Sequence, residues 1–91
     1  MLGGFIHIAK IILSPNPSAG LIEASITNLE FENSLAELIV NSTTGQTVQY
    51  IHISQDEIAY IDGSGLMPGL YIVSVMLHGE VKSIKKLVIQ P

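Results

Sequence analysis

The run Tyr71-Ile72-Val73-Ser74-Val75-Met76-Leu77 decides how this chain is read. It is rich in β-branched and aromatic residues, which suit a pleated surface and lose side-chain freedom in a helix. Successive side chains of a strand point to opposite faces, so Tyr71, Val73, Val75 and Leu77 form an inward set, and Ile72 and Met76 fall on the other face. Both faces are apolar. A strand of that kind is central in its sheet or covered on its outer side, and in a chain of 91 residues the cover can be a partner domain. Pro68-Gly69 before the run and His78-Gly79-Glu80 after it carry the chemistry of turns.

Similar punctuation divides the rest of the sequence. Ser14-Pro15-Asn16-Pro17-Ser18-Ala19-Gly20, Thr43-Thr44-Gly45 and Asp62-Gly63-Ser64-Gly65 are further breakers. Between them lie strand-length runs: Phe5 to Leu13, Leu21 to Thr27, Leu35 to Asn41, Gln46 to Ile53, Ile58 to Ile61, Leu70 to His78 and Val81 to Gln90. Seven such runs predict an all-β fold, an Ig-like antiparallel sandwich of two facing sheets. Composition agrees, since 14 Ile, 6 Val and 4 Thr make 24 of 91 residues β-branched. In the third run Ala36, Leu38 and Val40 are expected inward and Glu37 and Asn41 outward, with Ile39 breaking the pattern. The same stretch has a competing local reading. Ser34-Leu35-Ala36-Glu37 has capping-box spacing, and Leu35, Leu38 and Ile39 fall at helical intervals, so a short helix over Leu35 to Asn41 is the alternative to a strand.

The length fits one small domain, and 47% hydrophobic against 13% charged residues, with mean hydropathy +0.46, excludes disorder. There is no cysteine, which removes disulfides, thiolate metal sites and thiol nucleophiles. Four lysines, no arginine and a net charge of −4 argue against nucleic acid as a partner. No apolar run reaches the length of a membrane-spanning helix. Met1 to Leu13 has neither the basic start nor the small-residue cleavage site of a signal peptide, and Lys10 interrupts it.

Little in the sequence carries catalysis, and no catalytic, cofactor-binding or metal-binding residue is assigned. Gly63-Ser64-Gly65 is not the G-x-S-x-G of a nucleophile elbow and reads as a turn. His7, His52 and His78 are isolated, and the Ile-His-Ile triplets around His7 and His52 place each ring on the solvent face of a strand. Asp56, Glu57 and Asp62 are the densest acidic group, but without the ligand order of a calcium loop they read as a solvated turn. Asn41-Ser42-Thr43 matches a glycosylation triplet of the kind that chance produces often. Charge is unevenly placed. Seven of the eight acids lie between Glu23 and Asp62, whereas Lys82, Lys85 and Lys86 fall in the last ten residues. Two readings of that basic strand stand side by side: edge protection against aggregation, or a docking feature read by strand addition and charge.

Four pieces in order, Ile12-Leu13-Ser14-Pro15-Asn16-Pro17 with Gly20, Thr44-Gly45-Gln46-Thr47-Val48, Leu66-Met67-Pro68-Gly69-Leu70-Tyr71-Ile72-Val73-Ser74-Val75, and Gly79 with Ser83-Ile84-Lys85-Lys86-Leu87-Val88, resemble the C-terminal sorting domain of type IX secretion cargo, the Por secretion tail. The resemblance spans about Lys10 to Gln90. It marks Pro15, Asn16, Pro17, Gly20, Gly45, Gly69, Tyr71, Val73, Gly79, Lys85 and Lys86 as motif and signal positions. The chain departs from the family in ending Ile89-Gln90-Pro91 rather than on a basic residue, and in having Gly63 where an apolar residue is usual.

Physically, Pro15 and Pro17 are expected to end one strand and direct the next, Gly45 and Gly69 to occupy turns, and Tyr71 to pack its ring in the core with its hydroxyl at the rim. The resemblance implies a non-catalytic address label, with no cofactor, that follows an N-terminal passenger. The type IX translocon takes the protein across the outer membrane of a Gram-negative bacterium to the cell surface, and a sortase-like cysteine protease cuts N-terminal to the sandwich, near Met1 to Phe5. On this reading residues 1–9 are a junction or first strand, residues 10–91 are the sorting domain, and the chain is a piece of a longer protein. The rival is an Ig-like or fibronectin-like surface module that binds carbohydrate or protein. With no Trp and only Tyr50, Tyr60 and Tyr71, it has little with which to stack on a sugar.

Overall fold

A computed structural model describes residues 9–91. The expected start of the first strand at Phe5, the position of His7 and the junction at Met1 to Phe5 lie outside the described residues. Seven strands follow in order: β1 (Lys10–Ser14), β2 (Leu21–Thr27), β3 (Ala36–Ser42), β4 (Thr47–Ile53), β5 (Ala59–Asp62), β6 (Gly69–Leu77) and β7 (Glu80–Ile89). A 3-10 turn, Gly63–Gly65, lies between β5 and β6. All named strand pairings are antiparallel. They form a three-stranded sheet ordered β1-β2-β5 and a four-stranded sheet ordered β4-β3-β6-β7. The chain crosses between sheets after β2, β4 and β5, so the two layers are stitched together as an Ig-like sandwich.

Alternation sets the core. β3 buries Ala36, Leu38 and Val40, and β6 buries Tyr71, Val73, Val75 and Leu77. They meet Ile11, Ile22, Ala24 and Ile61 from the opposing sheet, and β7 adds Leu87 and Ile89. Phe31, in the loop between β2 and β3, closes one end of the core. Ile39, which broke the pattern of its run, lies on the outer face of β3 between Tyr50 of β4 and Ser74 of β6, half-buried by these neighbours. Ile72 and Met76 of β6 are half-buried on that same outer face, so the reading of an apolar second face holds.

The helical alternative over Leu35 to Asn41 is not realised. Ser34 N–H donates to the Phe31 carbonyl at 2.9 Å and Ser34 Oγ bonds His78 Nε2 at 3.0 Å, so its side chain holds the β6–β7 turn instead of capping a helix. Six residues from Glu37 to Ser42 pair with β6, a gain that a short isolated helix cannot match.

The turns follow their residues. His78 and Gly79, with φ of 53° and 80°, form the two-residue loop between Leu77 and Glu80, the doubly left-handed geometry that suits the twist of a hairpin. In the β3–β4 hairpin Gly45 has φ 89° and its N–H donates to the Ser42 carbonyl at 2.9 Å, a tight turn followed by one left-handed residue. At the start of β6 the Tyr71 hydroxyl donates to the Met67 carbonyl at 2.6 Å. That contact is a tyrosine corner, which fixes the arrival of the chain from the other sheet.

Candidate functional site

The motif positions Pro15 to Gly20 and Lys85–Lys86 are far apart in sequence and meet along one edge of the sandwich. β1 stops at Ser14 because prolines at 15 and 17 have no N–H to extend a ladder; the peptide bonds before both are cis. Between them Asn16 carries a side-chain amide, which offers the same donor and acceptor as a peptide group. Its Nδ2 donates to the Lys86 carbonyl at 2.9 Å, and its Oδ1 accepts from the Val88 N–H at 3.1 Å. Backbone continues the pattern: Ser18 N–H donates to the Val88 carbonyl at 3.0 Å, and Gln90 N–H donates to the Ser18 carbonyl at 2.8 Å. Ser18 and Ile89 form a parallel bridge, and the buried Ser18 Oγ accepts from Gly20 N–H at 3.1 Å. The prolines therefore end β1 as expected, but the segment does not lead straight to β2. It forms a strap along the outer edge of β7 from Lys86 to Gln90.

Gly20 anchors the far end of the strap, its carbonyl accepting from Gly63 N–H at 3.0 Å. Lys85 and Lys86 are exposed beside the strap. The lone salt bridge among the described residues joins Lys82 to Glu80 at 3.9 Å, a solvent-facing pair worth little to stability. Lys85 and Lys86, on opposite faces of β7 by alternation, thus have no acidic partner among the described residues. The remaining motif positions lie elsewhere: Gly45 and Gly79 in hairpins, Gly69 at the head of β6 with φ 147°, Tyr71 at its corner and Val73 fully buried.

The surface clefts are shallow and mixed. One of about 440 Å³ is lined by Asn28, Glu30, Glu32, His78 and Lys82. Another of about 520 Å³ lies between the β3–β4 hairpin and Met67. The acidic residues weighed for calcium are used locally. Asp62 Oδ1 accepts from Ser64 N–H at 3.0 Å and Oγ at 2.6 Å, capping the 3-10 turn; Glu57 Oε1 accepts from Ser54 N–H at 3.0 Å. Among the described residues no cluster of three His, Asp or Glu side chains is placed to hold a metal ion. His52 is exposed against Tyr50, ring centroids 5.2 Å apart. Tyr50 belongs to the four-stranded sheet and Tyr60 to the three-stranded one, so these two exposed rings do not share a stacking surface. Asn41 Oδ1 accepts from Thr47 Oγ1 at 2.8 Å, which orients the amide of the glycosylation triplet within the hairpin through its oxygen.

The secretion system C-terminal sorting domain family matches residues 13–90, from the end of β1 past the end of β7. The chain belongs to this family. Its members are C-terminal sorting signals for type IX secretion, signal domains rather than catalysts, carried by secreted or cell-surface proteins. No curated protein matches the chain in sequence. In this sorting domain the Ser-Pro-Asn-Pro segment has a physical task, holding β7 in place from outside. Sequence reasoning missed the bonds of Asn16, the buried Ser18 and the core role of Phe31. A carboxamide fixed between two prolines was the available signal for the first; Phe31 lies in a loop, where alternation says nothing.

Proposed function

We propose that this domain directs an N-terminal passenger through the type IX translocon and across the outer membrane of a Gram-negative bacterium for attachment at the cell surface. The signal is read from the folded sandwich, and residues 10–91 are the sorting unit. A sortase-like cysteine protease then cuts N-terminal to β1. One observation supports this reading above the others: the family motif at Pro15 to Gly20 and the basic strand β7 form a single structural unit, with Lys85 and Lys86 displayed on it. A signal built of residues 70 or more positions apart exists only once the domain has folded.

Fusing residues 10–91 to an inert periplasm-targeted reporter in a type IX host should bring the reporter to the surface. Deleting Lys82 to Pro91 should trap it in the periplasm, but that deletion also removes the core residues Leu87 and Ile89, so misfolding alone could trap it. The cleaner variant is Lys85→Gln with Lys86→Gln, which leaves the core intact and should reduce surface display while thermal unfolding stays unchanged. A full fusion that remains periplasmic beside a working sorting tail refutes the proposal.

A further inference from the structure

We propose that the outer face of the four-stranded sheet docks a second copy of this chain, face to face, as a two-fold dimer. Alternation turns Glu37 and Ile39 of β3, Ile72, Ser74 and Met76 of β6, and Ile84 and Lys86 of β7 away from the core and onto this face. The three-stranded sheet packs on the opposite side, so among the described residues no strand lies over these side chains. Ile39, Ile72 and Met76 are half-buried by their neighbours within the sheet, and Ile84 stays 62% exposed. The result is an apolar surface with one acid and one lysine set into it. This surface belongs to the isolated domain and does not depend on the export reading.

Charge placement decides the occupant. Ser74 pairs with Ile39 on one side and Ile84 on the other, while Glu37 lies level with Met76 and Lys86 level with Ile72. Glu37 is therefore one strand and two residues from Ser74, and Lys86 is the same step away in the opposite direction, each about 8 Å by strand spacing and rise. A two-fold axis through Ser74, lying between the two facing sheets and perpendicular to the line from Glu37 to Lys86, sets Glu37 of each copy over Lys86 of the other. On the same spacings Ile39 falls over Ile72 of the second copy, Ile84 over its Met76, and His52 over its Val88. The strands of the two copies then cross steeply, as in orthogonal sheet packing. Glu37, His52 and Lys86 are the acidic and basic side chains at the paired outward positions, so two opposite-charge pairs form and no like charges meet. Neither Glu37 nor Lys86 has a salt bridge among the described residues, and the small side chain of Ser74 lets the sheets approach at the axis. Four strands and three or four outward positions give a footprint of about 450 Å² a side. About 900 Å² in all is the low end for a specific interface, so the dimer is expected to be weak, with Kd about 10–100 μM.

The test is sedimentation equilibrium of the full chain from about 5 to 500 μM at low salt, a range that brackets the expected Kd. Glu37→Lys and Lys86→Glu should each weaken dimerisation about tenfold or more, because each variant's own dimer sets like charges together at both pairs. An equimolar mixture of the two variants should associate as tightly as the parent, since the mixed dimer has opposite charges at both positions. Ser74→Arg places two cations at the axis and should leave a monomer. All three substitutions face away from the core, and far-ultraviolet circular dichroism checks that each variant is folded. A chain that stays monomeric at about 500 μM overturns the inference and leaves the face to a different protein. A dimer indifferent to Ser74→Arg or to the charge reversals, or folded single variants whose mixture does not reassociate, overturns it as well.

Discussion

Replacing Gly63 with alanine puts the packing at the end of the sandwich to a direct test. A Cβ on Gly63 would lie 2.6 Å from the Gly20 carbonyl oxygen, 2.9 Å from Ile22 Cδ1 and 3.0 Å from Ile89 Cδ1. The two isoleucine termini can adjust. The carbonyl cannot move freely, because it accepts the hydrogen bond from Gly63 N–H itself at 3.0 Å and belongs to the strap's anchor. Relief of the overlap therefore stretches that bond. Overpacking of this kind costs about 1–3 kcal/mol and a weakened hydrogen bond adds up to about 1 kcal/mol, so the expected loss is about 1–4 kcal/mol. For a domain of this size that lowers Tm by roughly 5–30 °C.

Gly65→Ala is the matched control. Nothing lies within 4 Å of its added Cβ and its φ is not in the left-handed region, so stability should hold or rise by about 0.5 kcal/mol through the unfolded chain. Denaturant unfolding of the three proteins, followed by tyrosine fluorescence and far-ultraviolet circular dichroism, measures both differences. Combining Gly63→Ala with Ile89→Val removes one of the contacting methyl groups, and should recover only part of the loss because the carbonyl remains. If Gly63→Ala unfolds within about 0.5 kcal/mol of the parent, or no earlier than Gly65→Ala, the packing argument is wrong. The same geometry explains the departure from the family at this position: the side chains of Ile22 and Ile89 fill the space that an apolar residue would take.

Asn16→Ala removes both side-chain bonds to β7; as they are exposed to water, the loss should be about 1–2 kcal/mol by chemical denaturation, with faster amide exchange at Val88. Asn16→Asp should be no better than alanine, because it keeps an acceptor for Val88 but sets an oxygen against the Lys86 carbonyl. Leu38→Ala opens a cavity at a fully buried position between the sheets and should cost about 2–5 kcal/mol, measurable as a shift in denaturation midpoint. Tyr71→Phe deletes the hydroxyl bond to Met67 while keeping the ring, and about 0.5–1.5 kcal/mol should be lost in the same assay.

Period-two alternation carried most of the fold. Leu21 to Thr27 is β2 to the residue, and the inward sets of β3 and β6 stand as expected because both are central strands whose core faces must be apolar. From β3 onward strand ends shifted by at most one residue, as where the turn residue Gly69 joined the ladder, whereas β1 begins at Lys10 with Ala9 outside it. The candidate site was only half legible. Lysine clustering on the last strand was visible, and the sequence left edge protection and docking as competing readings. The strap was not visible, since the partners of the Asn16 amide are set by which strands become neighbours, and nothing local to Ser14–Gly20 specifies that. Ser18 shows the same limit: a small polar residue in a loop is expected in water, yet here its backbone makes both bonds of a bridge.

Asn16 also has to wait for its partners. The residues it holds lie 70 and 72 positions further on, so at a synthesis rate of about 5–20 residues per second it is made roughly 4–14 seconds before they exist. Through that interval the apolar side of the β1-β2-β5 layer lacks Leu87 and Ile89. Closure of the sandwich thus waits for its final strand, and no shorter N-terminal piece of the domain carries the assembled β7 edge.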